Sequence, residues 1–295
     1  MPKKKPAGTI VFSHANSFPA GTYRLLFQSW RAAGYTVHAI EKYGHDPKYP
    51  VTDHWPRLRD QLIHFAETHA EEPAFFVGHS LGGFLSLLAA AKRPALARGV
   101  LMLDSPVIGG LLTPAIQFAK FTGWGARFSP ASVSVRRRHH WPTQEAAHKH
   151  FADKASFARW NPEVLDDYIR SGIETAPPPH AKGFTLAFQR EVETEIYNTI
   201  PYDIPGFLRR HPLQCPVAFI GGKQSTEVRQ VGMAVTQRIT EGRISWVEGS
   251  HLFPFERPAE TATEALKWLK ALAALHATTL NAGLSPQVLG PGTHL

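Results

Sequence analysis

Short apolar runs alternate along this chain with longer segments whose apolar positions recur at helical spacing. The runs are apolar throughout, as expected for strands buried on both faces of a parallel sheet. The predicted strands are Thr9–Ser13, Thr36–Ile40, Ala74–Val77, Gly99–Leu103, Pro216–Ile220 and Arg243–Val247. The predicted helices of this part are Gly21–Ala33, Asp53–Ala70, Leu81–Lys92, Glu227–Ile239 and Pro258–Ala274. This alternation predicts βαβ units, and hence an α/β fold with a mostly parallel sheet flanked by helices.

The alternation stops between Pro106 and Pro212, where helical patterns occur without a convincing strand. The best helices of this segment are Glu163–Ser171 and Phe184–Thr199. A long segment of this kind within an α/β pattern predicts a helical insertion mounted on the sheet after the fourth strand.

The domain organisation follows from this break in the pattern. Residues 7–105 and 213–278 are predicted to form the core domain, and residues 106–212 the helical cap. Residues 279–295 are rich in Gly, Pro and Thr, and we expect them to form a loose tail.

The cysteine content and the apolar runs bear on the compartment. The single cysteine, Cys215, excludes an internal disulfide framework and favours a reducing compartment. The basic stretch Lys3–Lys5 precedes an apolar run that is too short for a signal peptide. No apolar run is long enough to cross a bilayer. These features predict a cytoplasmic protein without a transmembrane segment.

The formal net charge of +8 raises the question of a nucleic-acid partner. The basic residues are mostly scattered, and only Lys3–Lys5 and Arg136–Arg138 form runs. Neither run is interleaved with aromatic residues, so we interpret the charge as solvated surface and predict no nucleic-acid partner. The 16 histidines are dispersed, and no Cys/His cluster has metal-ligand spacing, so no metal site is predicted.

The stretch GHSLGG places Ser80 between the end of a predicted strand and the start of a predicted helix. Glycines at 78 and 82 permit a sharp turn there, which lifts the serine hydroxyl above the sheet. The strand–turn–helix context predicts that Ser80 is a nucleophile. The alternative is a serine that only caps the helix, since serine is a favoured N-cap residue.

A base is expected late in the chain, because active-site groups of an open α/β sheet gather beyond the carboxyl ends of its strands. His251 lies in WVEGSHLFPFERP, just after the last predicted strand and before the final helix. Its place in the chain order predicts that His251 is the base that serves Ser80.

The motifs GHSLGG and EGSHLFPFERP, with FSHANSFPAGTY near the start, resemble the α/β-hydrolase superfamily from Thr9 to about Ala274. In that family the first motif usually contains His-Gly, where this chain has His14 and Ala15. The resemblance implies an oxyanion hole formed by the backbone amides of Asn16 and Leu81, which do not depend on side-chain identity. We interpret His14 as a packing residue that braces this loop.

The position of the carboxylate that would support His251 departs from the family pattern. The place after the fifth core strand where the family usually has an aspartate falls on Gln224 or Ser225, and neither can stabilise an imidazolium as a carboxylate does. Asp104 ends the strand next to that of Ser80, where some relatives, such as haloalkane dehalogenases, place their acid. Glu227 lies further along the usual loop. Asp104 is the preferred acid and Glu227 the alternative.

The resemblance implies a serine hydrolase of the carboxylesterase type that forms an acyl-enzyme and needs no metal or organic cofactor. Thioesterases, C–C bond hydrolases, amidases, perhydrolases and acyltransferases use the same triad and stay open as alternatives. Because the usual aspartate is missing, a catalytically weak member that serves in binding or interaction is an alternative of another class.

The predicted cap is rich in aromatic residues, more so than a short helical linker requires. We expect some of them to pack against the sheet domain and others to line an acyl pocket. The expected partner is a small acyl substrate that is apolar on its acyl side. The residues concerned are Phe118, Phe121, Trp124, Phe128, Trp141, Phe157 and Trp160.

Overall fold

The structure, a computed structural model, describes residues 7–109, 134–177 and 182–281. Its strands are β1 (Gly8–Ser13), β2 (Tyr35–Ala39), β3 (Ala74–His79), β4 (Ala97–Leu103), β5 (His140–Trp141), β6 (Ile173–Thr175), β7 (Phe184–Leu186), β8 (Val217–Gly222) and β9 (Ile244–Val247). Its helices are α1 (Arg24–Ala32), α2 (Pro56–His69), α3 (Leu81–Lys92), α4 (Gln144–Ala152), α5 (Pro162–Gly172), α6 (Arg190–Asn198), α7 (Ile204–Arg210), α8 (Thr226–Val231), α9 (Ala234–Thr240), α10 (Phe253–Glu256) and α11 (Pro258–Asn281).

Six strands form one parallel sheet in the order β2-β1-β3-β4-β8-β9, which confirms the predicted fold class. The pairing aligns the strand ends: Ser13 lies opposite Gly78, Leu103 opposite Ile220, and Gly222 opposite Val247. The loops that follow β1, β3, β4, β8 and β9 therefore leave the sheet at one edge, where side chains distant in sequence can meet.

Hydrophobic residues cover both faces of this sheet, which explains why its strands are apolar throughout. On one face, Phe12 and Leu101 pack with Leu269 of α11. On the other face, Val100 packs with Leu85 of α3, a helix that is almost entirely buried. The buried α3 fixes the position of the residue that precedes it, Ser80.

The segment between β4 and β8 carries helices α4 to α7 and a second, antiparallel sheet in the order β5-β7-β6. The expectation of a segment without strands is therefore wrong. The helix predicted over Phe184–Thr199 begins as strand β7, and α6 starts only at Arg190. The physical reason is that two- and three-residue strands leave no local period, since their pairing partners are distant in sequence. The proposed domain limits stay predictions.

Several predicted boundaries also differ from the structure. The helix expected over Glu227–Ile239 is two helices, α8 and α9, because Gly232 between them has φ 76°. The first turn of Gly21–Ala33 lies in a 3₁₀ helix, Ala20–Tyr23. Residues 279–281, assigned to the loose tail, are the last residues of α11. Residues 282–295 lie outside the described part of the chain.

The inserted segment packs on the sheet domain through aromatic side chains. Trp160 contacts Phe255 with ring centroids 4.5 Å apart, and Phe157 lies 4.4 Å from Trp160. Trp141 is fully buried in the same cluster. These three aromatic residues of the cap therefore form core contacts, while Phe118, Phe121, Trp124 and Phe128 lie outside the described residues. Across the described ranges, no helix has the length and apolarity that crossing a bilayer requires.

A buried carboxylate also joins the insertion to the core. Asp167 of α5 is 1% exposed and accepts a hydrogen bond of 2.7 Å from Nε of Arg24, at the start of α1. Arg170 of α5 donates to the same oxygen at 2.6 Å. Charge and hydrogen bonds compensate the desolvation of Asp167 from both sides.

Replacing Arg24 with alanine is expected to lower the free energy of unfolding by about 2 kcal/mol, because buried Asp167 loses a charged donor. Chemical denaturation followed by circular dichroism measures the change as a shift in the midpoint. Arg57→Ala is the matched control, since Arg57 is exposed on α2 and makes no ion pair within the described ranges. Equal midpoints for the two variants would contradict the prediction.

Candidate active site

Ser80 occupies a strained turn between β3 and α3. Its φ of 53° and ψ of −115° lie outside the regions that residues other than glycine ordinarily adopt, and such conformations cost about 1–3 kcal/mol. Its N–H donates to the carbonyl of Leu103 at 2.9 Å, which ties the turn to β4. The Ser80 side chain makes no N-cap hydrogen bond to α3, so its hydroxyl does not serve the capping role considered as the alternative.

Close backbone approach explains the glycines beside Ser80. A Cβ atom at Gly78 would collide with the backbone of Gly82, and one at Gly82 would collide with the carbonyl of Ser13. Only glycine lets β1, β3 and the start of α3 approach this closely. The same contact brings the loop after β1 next to Ser80.

His251 and Asp104 form a hydrogen-bonded pair at the same sheet edge. His251 Nδ1 lies 2.7 Å from Asp104 Oδ2, and His251 follows β9 while Asp104 directly follows β4. Since a carboxylate can only accept, Nδ1 carries the proton and Nε2 is left as an acceptor. The structure therefore joins the predicted base to the preferred acid, which lies 147 residues away in the sequence.

The carboxylate of Asp104 is buried and fully engaged. Besides His251, it accepts from the N–H of Gly222 at 2.7 Å and from the hydroxyl of Ser225 at 2.5 Å. Ser225 stands where the family pattern puts an aspartate, so the residue at that place donates to a carboxylate supplied from β4. This role of Ser225 was not predicted, and the only signal for it was its position.

Glu227 lies beside this pair without bonding to the ring. Its Oε2 is 3.8 Å from His251 Nδ1 and accepts from the hydroxyl of Thr226 at 2.8 Å. Burial alone would raise the pKa of Glu227, but the charge of His251 and the hydrogen bonds from the hydroxyls of Thr226 and Ser225 hold that pKa below its usual value. Glu227 therefore contributes a negative charge near the imidazole.

Two carboxylates act on the pKa of His251. Burial alone would lower it, but the hydrogen bond and charge of Asp104, together with the charge of Glu227, raise the pKa above its usual value of 6.5. The ring is thus held ready to accept a proton at Nε2.

Asp104, Glu227 and His251 also come close enough together for a metal ion, with potential ligand atoms within 4.8 Å of one another. A cation here would have to compete with the donors that Gly222 and Ser225 direct at Asp104. The existing hydrogen bonds suit a carboxylate–imidazole pair better than a metal centre.

A buried hydrogen-bond chain holds the loops of the site together, and it was not predicted from the sequence. The N–H of Ala15 donates to the Tyr23 hydroxyl at 3.0 Å, and that hydroxyl lies 2.8 Å from His79 Nδ1. His79 Nε2 lies 2.9 Å from the backbone carbonyl of His251 and must donate to it, so Tyr23 donates to Nδ1. Burial lowers the pKa of His79 well below 6.5, which keeps the ring neutral. A histidine directly before Ser80 was the only available sequence signal.

The loop after β1 carries Asn16, one of the predicted oxyanion donors. His14 braces this loop, since its Nδ1 donates to the Ala15 carbonyl at 2.8 Å and its Nε2 accepts from the N–H of Tyr43 at 2.9 Å. Burial lowers the pKa of His14 to about 4, so it stays neutral. Within the described ranges we find no acceptor for the backbone amides of Asn16 and Leu81, although both residues are buried.

Helix α6 of the insertion holds the Asn16 side chain. The Asn16 amide group donates to the backbone carbonyl of Glu193 at 3.0 Å. Glu193 and Tyr197 lie four residues apart and so share one face of the helix. Glu193 is itself paired with Arg137 at 2.8 Å, and both side chains are largely buried. The insertion therefore contacts the loop after β1 directly.

A cavity of about 580 Å³ lies against these groups. Ser80, His251, Asn16 and Glu227 all contribute to its wall. The structure thus places the predicted nucleophile, the base and one oxyanion residue on a single cavity, with Leu81 adjacent to Ser80 and Asp104 buried behind His251.

The sequence is similar to that of several curated proteins. A rat (Rattus norvegicus) monoglyceride lipase is 35% identical over 115 residues, which are 35% of this chain and 38% of the lipase. Ethanol acetyltransferase 1 from Hanseniaspora uvarum is 23% identical over 255 residues, 79% of this chain and 71% of that protein. The chain thus matches well under half the length of the lipase.

Among solved structures, E-2-(acetamidomethylene)succinate hydrolase superposes with a TM-score of 0.71 at 20% identity, over 90% of this chain and 93% of that one. This likeness concerns the fold alone. The model of the alpha/beta hydrolase family matches residues 10–265, which include the whole parallel sheet apart from the first two residues of β1. The chain therefore belongs to the alpha/beta hydrolase family.

Proposed function

We propose that this protein is a serine hydrolase that cleaves a carboxylic ester through an acyl-enzyme intermediate. The observation that carries the proposal is the 2.7 Å hydrogen bond between His251 Nδ1 and Asp104, on the cavity that Ser80 also lines. A serine in a strained turn that shares a cavity with a carboxylate-bound imidazole supplies the groups that activate a hydroxyl for attack.

In the proposed first step, Ser80 Oγ attacks the carbonyl carbon of the ester while Nε2 of His251 takes the hydroxyl proton. Asp104 holds the ring in the tautomer that leaves Nε2 unprotonated and stabilises the imidazolium that forms. The backbone amides of Asn16 and Leu81, which have no acceptor among the described residues, would then donate to the oxyanion.

In the following steps His251 returns its proton to the leaving alcohol, and the acyl group stays on Ser80. Water then attacks the acyl carbon while His251 takes its proton. The bond from this carbon to Ser80 Oγ breaks as His251 returns the proton to Oγ, and the acid is released. Since the carboxylate, imidazole and amides supply all of the acid–base and electrostatic groups, the mechanism uses no cofactor.

The substrate is proposed to be a small acyl compound that is apolar on its acyl side, because lipases are among the relatives. An acyltransferase is the second candidate, since the acetyltransferase from Hanseniaspora uvarum covers 79% of this chain. Adding ethanol to the reaction separates the two, because a transferase would form the ethyl ester in preference to the free acid. A cytoplasmic location stays a prediction.

The direct experiment combines turnover of 4-nitrophenyl esters of increasing chain length with labelling by a serine-directed fluorophosphonate. We expect ester turnover and a label on Ser80, with both lost in Ser80→Ala. A protein that turns over no ester and takes no label would instead fit the binding or interaction role.

The two carboxylates near His251 are expected to contribute to turnover to very different extents. Asp104→Asn should reduce kcat by about 10⁴-fold, because an amide at this place favours the wrong tautomer of His251. Glu227→Gln should reduce it by less than about tenfold, because Glu227 does not hydrogen-bond the ring. Steady-state kinetics with a nitrophenyl ester measures both. A large loss in the Glu227 variant with normal turnover in the Asp104 variant would reverse the assignment.

The pH dependence follows from the raised pKa of His251. Activity needs the neutral ring, so kcat/KM should rise with pH through an inflection above 6.5, the usual value. The ring centroids of His79 and His251 are 5.1 Å apart, but His79 stays neutral. The charges that raise the pKa of His251 are therefore those of Asp104 and Glu227. Glu227→Gln removes one of these charges, and its inflection should lie at lower pH. An unchanged or higher inflection would show that Glu227 does not act on the base.

The contact between α6 and the loop after β1 predicts a positioning role for Glu193. Glu193→Gln removes the charge that pairs with Arg137. The expected displacement of α6 moves the Glu193 carbonyl that holds Asn16, and kcat should fall by about tenfold with little change in KM. The affinity for a trifluoromethyl ketone, which forms an oxyanion on Ser80, should fall in parallel. Glu195→Gln on the exposed side of α6 is the control. A loss of stability without a loss of ketone affinity would leave Glu193 a structural role only.

A further inference from the structure

Polar and apolar groups share the described part of the cavity wall. Ala15, Phe18 and Leu252 are its apolar contributors, and the other described lining residues carry polar or charged groups. A pocket for a long hydrocarbon chain is lined mainly by apolar side chains. This wall therefore offers contacts for a polar end of a substrate as well as for its methylene groups.

Hydrogen bonds to two neighbouring side chains fix the position of Arg159 in this wall. Its guanidinium donates to Gln224 Oε1 at 2.6 Å and to Glu256 Oε2 at 3.1 Å. Glu256 is buried and also accepts from the backbone and hydroxyl of Ser250. Because 47% of the Arg159 side chain remains exposed, its other N–H groups are available on the cavity side.

Arg229 of α8 lines the same cavity without a structural partner. Its side chain is exposed, and no hydrogen bond or ion pair joins it to another residue of the described ranges. Glu227, two positions earlier on the helix, is turned towards Thr226 and His251 instead. Arg229 therefore adds to the wall a positive charge that is not engaged in an ion pair within the described ranges, while Glu227 contributes a negative charge to the same wall beside His251.

We propose that the substrate carries an anionic group, a carboxylate or a phosphate, and that Arg229 binds it in the cavity that Arg159 also lines. A guanidinium pairs such oxygens with two parallel N–H groups, which gives orientation as well as attraction. The net charge of +8 would favour the approach of such a substrate. This inference rests on the proposed function, because it names the substrate class of the same site.

Two pairs of esters with nitrophenol leaving groups test the proposal and locate the anionic group. The first pair is 4-nitrophenyl hexanoate and mono-4-nitrophenyl adipate, which differ by a terminal carboxylate on the acyl side. The second pair is 4-nitrophenyl hexanoate and 3-carboxy-4-nitrophenyl hexanoate, which differ by a carboxylate on the leaving group. The measured quantity is the ratio of kcat/KM for the anionic ester to that for the neutral ester.

In Arg229→Gln this ratio should fall roughly fivefold for at least one pair, the magnitude of an ion pair near the surface. The ratio of the unsubstituted protein should also fall as salt is added, because salt screens such a pair. Arg238→Gln, on the exposed side of the neighbouring helix α9, is the matched control and should leave both ratios unchanged. Substitution of Arg229 removes no hydrogen bond or ion pair between residues that the structure describes, so this variant is expected to fold.

The outcomes separate this inference from the proposed function. Turnover of the neutral ester and labelling of Ser80, with ratios that neither Arg229→Gln nor salt changes, would overturn the anionic substrate and leave the hydrolase in place. Absence of any turnover and of any label would overturn both. A fall confined to one pair supports the inference and assigns the anionic group to the acyl or the alcohol side.

Discussion

A carboxylate buried at the end of β4 constrains the whole sheet edge. Asp104 is 1% exposed, and an ion in that position is stable only if donors surround it. Gly222 at the end of β8, Ser225 in the following loop and His251 after β9 supply those donors. Because these groups come from three strand ends, the register of β4, β8 and β9 and the position of the imidazole depend on one another.

Neutral histidines extend this constraint to the other side of Ser80. His79 connects the backbone of His251 through Tyr23 to the loop after β1, and His14 ties that loop to Tyr43. Burial keeps both rings unprotonated, so each acts as one donor and one acceptor with fixed direction. A site whose loops are joined by directed hydrogen bonds holds its reacting groups in place without relying on the flexible ends of side chains.

The inserted segment contacts the loops around Ser80 and contributes to the cavity wall. Its helix α6 contacts Asn16 through Glu193, and Arg159, which precedes α5, lies in the cavity wall. The same segment is anchored through Asp167 and through the aromatic cluster around Trp160. The position of the loop after β1 and the character of the cavity thus depend on residues of the inserted segment. Variation in such segments lets one fold serve different functions.

The sequence by itself determined the α/β class and the succession of core strands and helices along the chain. It also determined that Ser80 and His251 each follow a strand. Both results rest on periodicity and strand ends, which neighbouring residues define. Only the tertiary structure decided that Asp104 rather than Glu227 bonds to His251, that Ser225 supports it, and that Asn16 meets α6. It also decided the sheet β5-β7-β6. These features depend on contacts between residues far apart in the chain, and the local sequence around a residue does not predict which distant residue it contacts.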